Sequence, residues 1–158
     1  MALEQHAGEL FERLAAAMDQ AANTGAARLA TGLDAFYRFV EEHRVAWRML
    51  FREANDPEMV AVLERIVAQV TSVVAALIAQ DPGSRTSAGD DEAREQAIEM
   101  LAQMLVGSVQ SLSNWWADHQ EVPRARMLEM TMDYAWLGLE RLSQGDRWTS
   151  AGGQSPAS

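Results

Sequence analysis

A chain of 158 residues is long enough for one domain with a real core and too short to expect two. Its formal charge is −10, and the thirteen basic residues, all arginine, form no cluster, so nucleic acid and anionic membrane surfaces repel it. The lack of cysteine excludes a disulfide framework, no apolar run reads as long enough to cross a bilayer, and Glu4 and Glu9 interrupt any signal peptide; the expectation is a soluble, cytoplasmic protein without membrane contact.

Apolar residues recur at helical spacing along the chain, and no stretch alternates as a strand would, so the fold class is all-α. Leu3, Ala7, Leu10, Leu14, Ala17 and Ala21 form a first stripe that ends at the NTG of residues 23–25. Thr24 can cap a second helix with the stripe Leu29, Leu33, Phe36 and Val40, and a shorter helix carries Val45, Trp47, Leu50 and Phe51. At 55–58 the run NDPE starts another helix: Asp56 suits the cap, Pro57 the first turn, and Glu58 the positive end of the dipole. That helix presents Met59, Leu63, Ile66, Val70, Val73 or Val74, and Leu77, and DPGSRTSAG at 81–89 reads as a mobile loop. Asp90, Asp91, Glu92 and Glu95 then stand at a helix start, where negative charge is favoured, and read as a solvated end rather than a metal site.

The helix from about 91 to 119 has two apolar stripes. One runs Ile98, Leu101, Leu105, Val109, Leu112 and Trp116; the other mixes methionine with small residues, Ala97, Met100, Met104, Gly107 or Ser108, Ser111 and Trp115. Neighbouring residues on a helix point about 100° apart, so the pair WW at 115–116 needs cover on two sides. After HQEV, Pro123 opens a last helix that is also apolar on more than one side, with Leu128, Met132, Ala135, Leu139 and Leu142 flanked by Met127, Met130, Tyr134 and Leu137. From Ser143 onward, residues 143–158 read as a disordered tail. Two consecutive helices with surplus apolar surface fit a homodimer in which two helices pair with two, the small residues Gly107, Ser108 and Ser111 admitting a partner backbone. The competing arrangement wraps both sides within one subunit.

The segments GLDAFYRFVEEHRVAWRMLFREANDPEM and NWWADHQEVPRARMLEM, the latter followed by YAWLGLERL, resemble the C-terminal half of TetR-family transcriptional regulators over about residues 3 to 142. The resemblance implies a six-helix regulatory domain over 1–142, with the last two long helices forming a four-helix-bundle dimer interface and the preceding ones enclosing a pocket for a small hydrophobic effector. It assigns Met100, Gly107, Ser108, Trp115, Met127, Met130, Tyr134 and Leu137 to the dimer interface, and Phe36, Tyr37, Trp47, Phe51, Val70, Val74, Met104 and Ser111 to the effector pocket, with Tyr37 or Ser111 as hydrogen-bond donor. In that family a helix-turn-helix precedes this half. Here the chain opens inside what resembles the connecting helix, so DNA binding is expected only through a module absent from this chain; a truncated chain and a stand-alone sensory domain both fit.

His6, His43 and His119 lack the spacing of a ligand set; His43 and His119, near helix C-termini, read as capping or surface residues, and no metal or cofactor is expected. No nucleophile elbow, phosphate loop or nucleotide fingerprint is present, so the chain is not read as an enzyme and no catalytic residue is assigned. The aromatic and methionine set, which also includes Phe11 and Trp116, is suited to an adaptable apolar pocket, and equally to core filling. The alternative function is a helical interaction and dimerisation protein without a ligand.

Overall fold

The computed structural model describes residues 5, 8–10, 12–14, 16, 25–51, 56–80 and 91–146, with backbone alone for Leu50, Phe51 and Ser143. Among the described residues five bounded helices follow one another: α1 (Gly25–Glu42), α2 (Arg44–Phe51), α3 (Pro57–Gln80), α4 (Asp91–Ala117) and α5 (Arg124–Ser143). Residues 8–10 and 12–14 before them are also helical, and no strand occurs among the described residues. The fold is all-α. Leu3, Ala7, Phe11, Ala17, Ala21 and His6, the Thr24 cap, the 81–89 loop, Asp90 and the tail beyond residue 146 lie outside the described residues.

Local chemistry sets the ends of the helices. Asp56 Oδ1 accepts the Glu58 N–H at 3.1 Å, the cap expected of an Asp followed by Pro in the first turn. Between α1 and α2 the break is one residue wide, because His43 N–H still bonds the Phe39 carbonyl and Trp47 N–H the His43 carbonyl. His43 Nδ1 donates to the Phe39 carbonyl at 3.0 Å and its ring stacks on Phe39. At the far end α5 runs through Ser143, where a disordered tail was expected to begin. Gly145 N–H bonds the Leu142 carbonyl and Asp146 N–H the Arg141 carbonyl, a Schellman closure that places Gly145 at φ 91, which favours glycine.

The helices pack mainly as two pairs, α3 along α4 and α1 along α5, with α2 touching α1, α3 and α4. Leu33, Tyr37 and Val40 of α1, Trp47 of α2, Leu105, Val109 and Trp116 of α4 and Met127 of α5 form the common core. Gly25 lies close under Trp136: a Cβ there would meet the indole at 3.0 Å. The N-terminal stretch is tied to the end of α1, where Arg13 bridges Glu9 and Glu42, each at 2.6 Å, and Glu9 approaches His43 at 3.7 Å.

The expectation that no apolar run is long enough to cross a bilayer is corrected by α3. Helix α3 has 24 residues and a window of mean hydropathy 1.8, so by length and composition it is apolar enough to cross a membrane, and 6% of that window is buried in the subunit. Glu64 and Arg65, about a third of the way along it, interrupt the apolar run. The helix packs along α4 and touches α2.

Tyr37 is 0% exposed, and its hydroxyl lies 2.6 Å from Thr131 Oγ1. The Thr131 proton goes to the Met127 carbonyl at 2.8 Å, so the phenol is the donor in the first bond. Burial raises the Tyr37 pKa above its ordinary 10.0, opposed in part because Thr131 can turn its proton from the Met127 carbonyl to a phenolate. A raised tyrosine pKa contributes stability that is intact below pH 10.0 and lost as pH climbs through the folded-state value. Tyr37→Phe is therefore expected to cost about 1 kcal/mol at neutral pH and to flatten the alkaline fall in stability, both measurable by urea denaturation from pH 7 to 11.

Candidate functional site

The paired tryptophans at the end of α4 show how this helix divides its surface. Trp116 is 2% exposed: its ring meets Tyr37 edge-on at 5.9 Å, its Nε1–H donates to the Val122 carbonyl at 2.8 Å, and the Arg44 guanidinium lies 5.3 Å from the ring centre. Trp115 is 46% exposed and stacks on His119 at 4.0 Å, while His119 Nδ1 donates to the Trp115 carbonyl. The two rings thus serve opposite environments.

Trp115 belongs to an exposed apolar stripe on α4 with Met100, Met104, Gly107 and Ser111. A second exposed stripe on α5 carries Met130, Tyr134 and Leu137, with Tyr134 71% exposed. Open space surrounds the Cβ position of Gly107. Ser108 is half-buried at the edge of the stripe, its hydroxyl donated to the Leu105 carbonyl at 2.9 Å. Met127 departs from its expected place at the dimer interface. It is 2% exposed and packs in the subunit core, because it shares the inward face of α5 with Thr131, one turn on. Among the described residues, the other exposed large apolar side chains are Val45 and Met49 on α2 and Val60 and Val73 on α3.

The aromatic interior is the second candidate site. Phe36 meets Trp47 edge-on at 5.5 Å, and Trp47 Nε1–H donates to Asn114 Oδ1 at 3.1 Å. Val74 of α3 packs against the same cluster, and Val70, one turn earlier, is half-buried. The Phe51 side chain lies outside the described residues. Met104 and Ser111, expected in this pocket, are instead exposed on the other side of α4. At 100° per residue they fall in line with Met100 and Trp115 and away from Leu105 and Val109. Ser111 therefore offers no hydrogen bond to the interior, and the Tyr37 proton is already committed to Thr131.

Asn114, Ser113 and Thr131 were not singled out in the sequence. The available signal was their spacing: Thr131 stands between Leu128 and Ala135 on the apolar face of α5, and Ser113 follows Val109 by one turn on α4. Buried polar residues among those described are Thr71, Ser113 and Thr131, so the interior is apolar and aromatic with neutral hydroxyls. Such a lining suits binding of an apolar molecule rather than proton transfer or nucleophilic chemistry. No group of three or more histidine and acidic side chains gathers among the described residues.

Compared with known proteins, residues 26–138 match the family model described as tetracyclin repressor-like, C-terminal domain. None of the curated proteins compared matches the chain. The matched span runs from the start of α1 to near the end of α5 and takes in both the aromatic interior and the two exposed stripes. By that match the chain belongs to the tetracyclin repressor-like C-terminal domain family.

Proposed function

We propose that this chain is the effector-sensing and dimerisation part of a TetR-like transcriptional regulator. The observation that carries the reading is the division of α4 and α5 into an inward face, built around Tyr37 and Trp116, and an outward apolar face that the subunit leaves in contact with solvent. Family membership supports the regulatory role. A two-fold pairing of the α4 and α5 stripes would bury Met100, Met104, Trp115, Met130, Tyr134 and Leu137 against their copies in a closed interface. The effector, a small hydrophobic molecule, would enter among Phe36, Tyr37, Trp47, Val70 and Val74. Because Tyr37 and Trp47 of this interior bond to Thr131 and Asn114 on the two helices that carry the association face, its occupancy would bias the relative placement of the two subunits. DNA contact would come from a helix-turn-helix preceding this domain in such a regulator, and the cytoplasm is the compartment in which that function operates.

A second reading, a dimerisation protein without a ligand, draws on the edge-to-face packing of Phe36 with Trp47 and of Tyr37 with Trp116, which already fills interior space. Native mass spectrometry separates the two. A dimer at twice 17.4 kDa with a few hundred extra daltons per subunit supports the sensor; a dimer without added mass, unable to take up hydrophobic probes, supports the ligand-free reading.

Two variants test the association face. Leu137→Asp combined with Met104→Asp is expected to give a 17.4 kDa monomer with unchanged helical circular dichroism, since both side chains are exposed in the subunit. Trp116→Ala is expected to act differently, lowering subunit stability by roughly 3–5 kcal/mol through loss of a buried aromatic. A double Asp variant that sediments as a dimer would place the interface elsewhere.

A further inference from the structure

Ser113 on α4 is 0% exposed, and its Oγ has no hydrogen-bond partner. Other hydroxyls on these helices satisfy themselves by bonding back to their own helix: Thr71 to the Val67 carbonyl at 2.7 Å, Ser108 to Leu105 at 2.9 Å and Thr131 to Met127 at 2.8 Å. Ser113 does not take that bond, so its hydroxyl is turned away from the α4 carbonyls. Ser113 also lies on the inward side of the helix, four residues after Val109, three before Trp116 and four before Ala117, all of them buried. The polar side chains that bond across these helices have partners other than Ser113. Asn114 Oδ1 accepts from Trp47, the Trp116 N–H goes to Val122, and the Tyr37 O–H goes to Thr131. Ser113 is thus the buried hydroxyl, among the described residues, whose proton is uncommitted, and a buried polar group left so is destabilising unless something else completes it.

We propose that Ser113 is the polar anchor of the effector site, and that the effector is an uncharged, largely apolar molecule presenting one oxygen acceptor, carbonyl or ether, to the Ser113 hydroxyl. This rests on the effector-sensing reading above. The charge assignment follows from the surroundings: the buried polar residues are hydroxyl-bearing, and a buried ionised ligand without a counter-charge would not be stable there. The competing role for Ser113 is that of a small residue allowing close helix approach, in which the oxygen itself does nothing.

The test uses the full chain and matched probes of equal shape: acetophenone with ethylbenzene, and 2-acetylnaphthalene with 2-ethylnaphthalene, with 2-naphthoate as the charged member. Binding is read by calorimetry and by tryptophan fluorescence. In at least one pair the ketone is expected to bind about tenfold more tightly than the hydrocarbon, the effect of one added hydrogen bond to a buried group. Ser113→Ala is expected to abolish that preference while leaving the hydrocarbon within about twofold and the folded state no less stable. Equal affinity of ketone and hydrocarbon in the unmodified chain, or a preference that survives Ser113→Ala, overturns the role of Ser113 and leaves the effector site standing. Naphthoate binding as tightly as the ketone overturns the uncharged class. Failure of every probe up to its solubility limit overturns the effector-sensing reading and this inference together.

Discussion

A phenol sealed from water has to place its proton on an acceptor, and Tyr37 places it on Thr131, 94 residues further along the chain. That bond fixes the rotation of α5 against α1. With Thr131 turned inward and its own proton on the Met127 carbonyl, Met127 and Ala135 are drawn to the core side of the helix, and Met130, Tyr134 and Leu137 are left on the outside. Arg124 reinforces the same register from the solvent edge, where it reaches Asp34 at 3.1 Å and Glu41 at 2.9 Å. These ion pairs are half-exposed and contribute little to stability by themselves. Their value is geometric, since they hold the start of α5 against the middle and end of α1.

The same logic divides α4. Trp116 enters the core because its ring finds the edge of Tyr37 and its N–H finds the Val122 carbonyl, which satisfies both its apolar body and its polar edge. Trp115, one residue earlier, then has no choice but to face outward, where His119 stacks on it. An exposed apolar face and a share of the aromatic core consequently lie on the same two helices. In the proposed regulator this sharing is the physical route by which an occupied interior would alter the spacing of subunits. No long-range pathway is needed, only rigid helices with a different chemistry on each side.

Much of this was legible in the chain. Asp56 and Pro57 announced the start of α3, and the surplus apolar residues of α4 and α5 were visible as second stripes before any packing was known. Other readings went astray for identifiable reasons. Met104 and Ser111 read as pocket residues because the family's pocket touches this helix, although their spacing aligns them with Trp115. Met127 read as an interface residue because it adjoins Met130 in sequence, although Thr131 draws it inward. The apolar length of α3 is broken by Glu64 and Arg65, two charges that a helix of 24 residues carries within its first half.

Sequence alone determined the helical class, the capped start of α3, the presence of two apolar faces on each of the last two helices and the family resemblance, because periodicity, capping and hydropathy are local properties of consecutive residues. Tertiary structure alone decided which of the two faces turns inward. Both faces are apolar, so hydropathy could not rank them. The choice was made by hydrogen bonds between residues distant in sequence, Tyr37 to Thr131 and Trp47 to Asn114, which must be formed once their polar atoms are buried. It also left the Ser113 hydroxyl in the interior with no partner, a placement that no local pattern encodes.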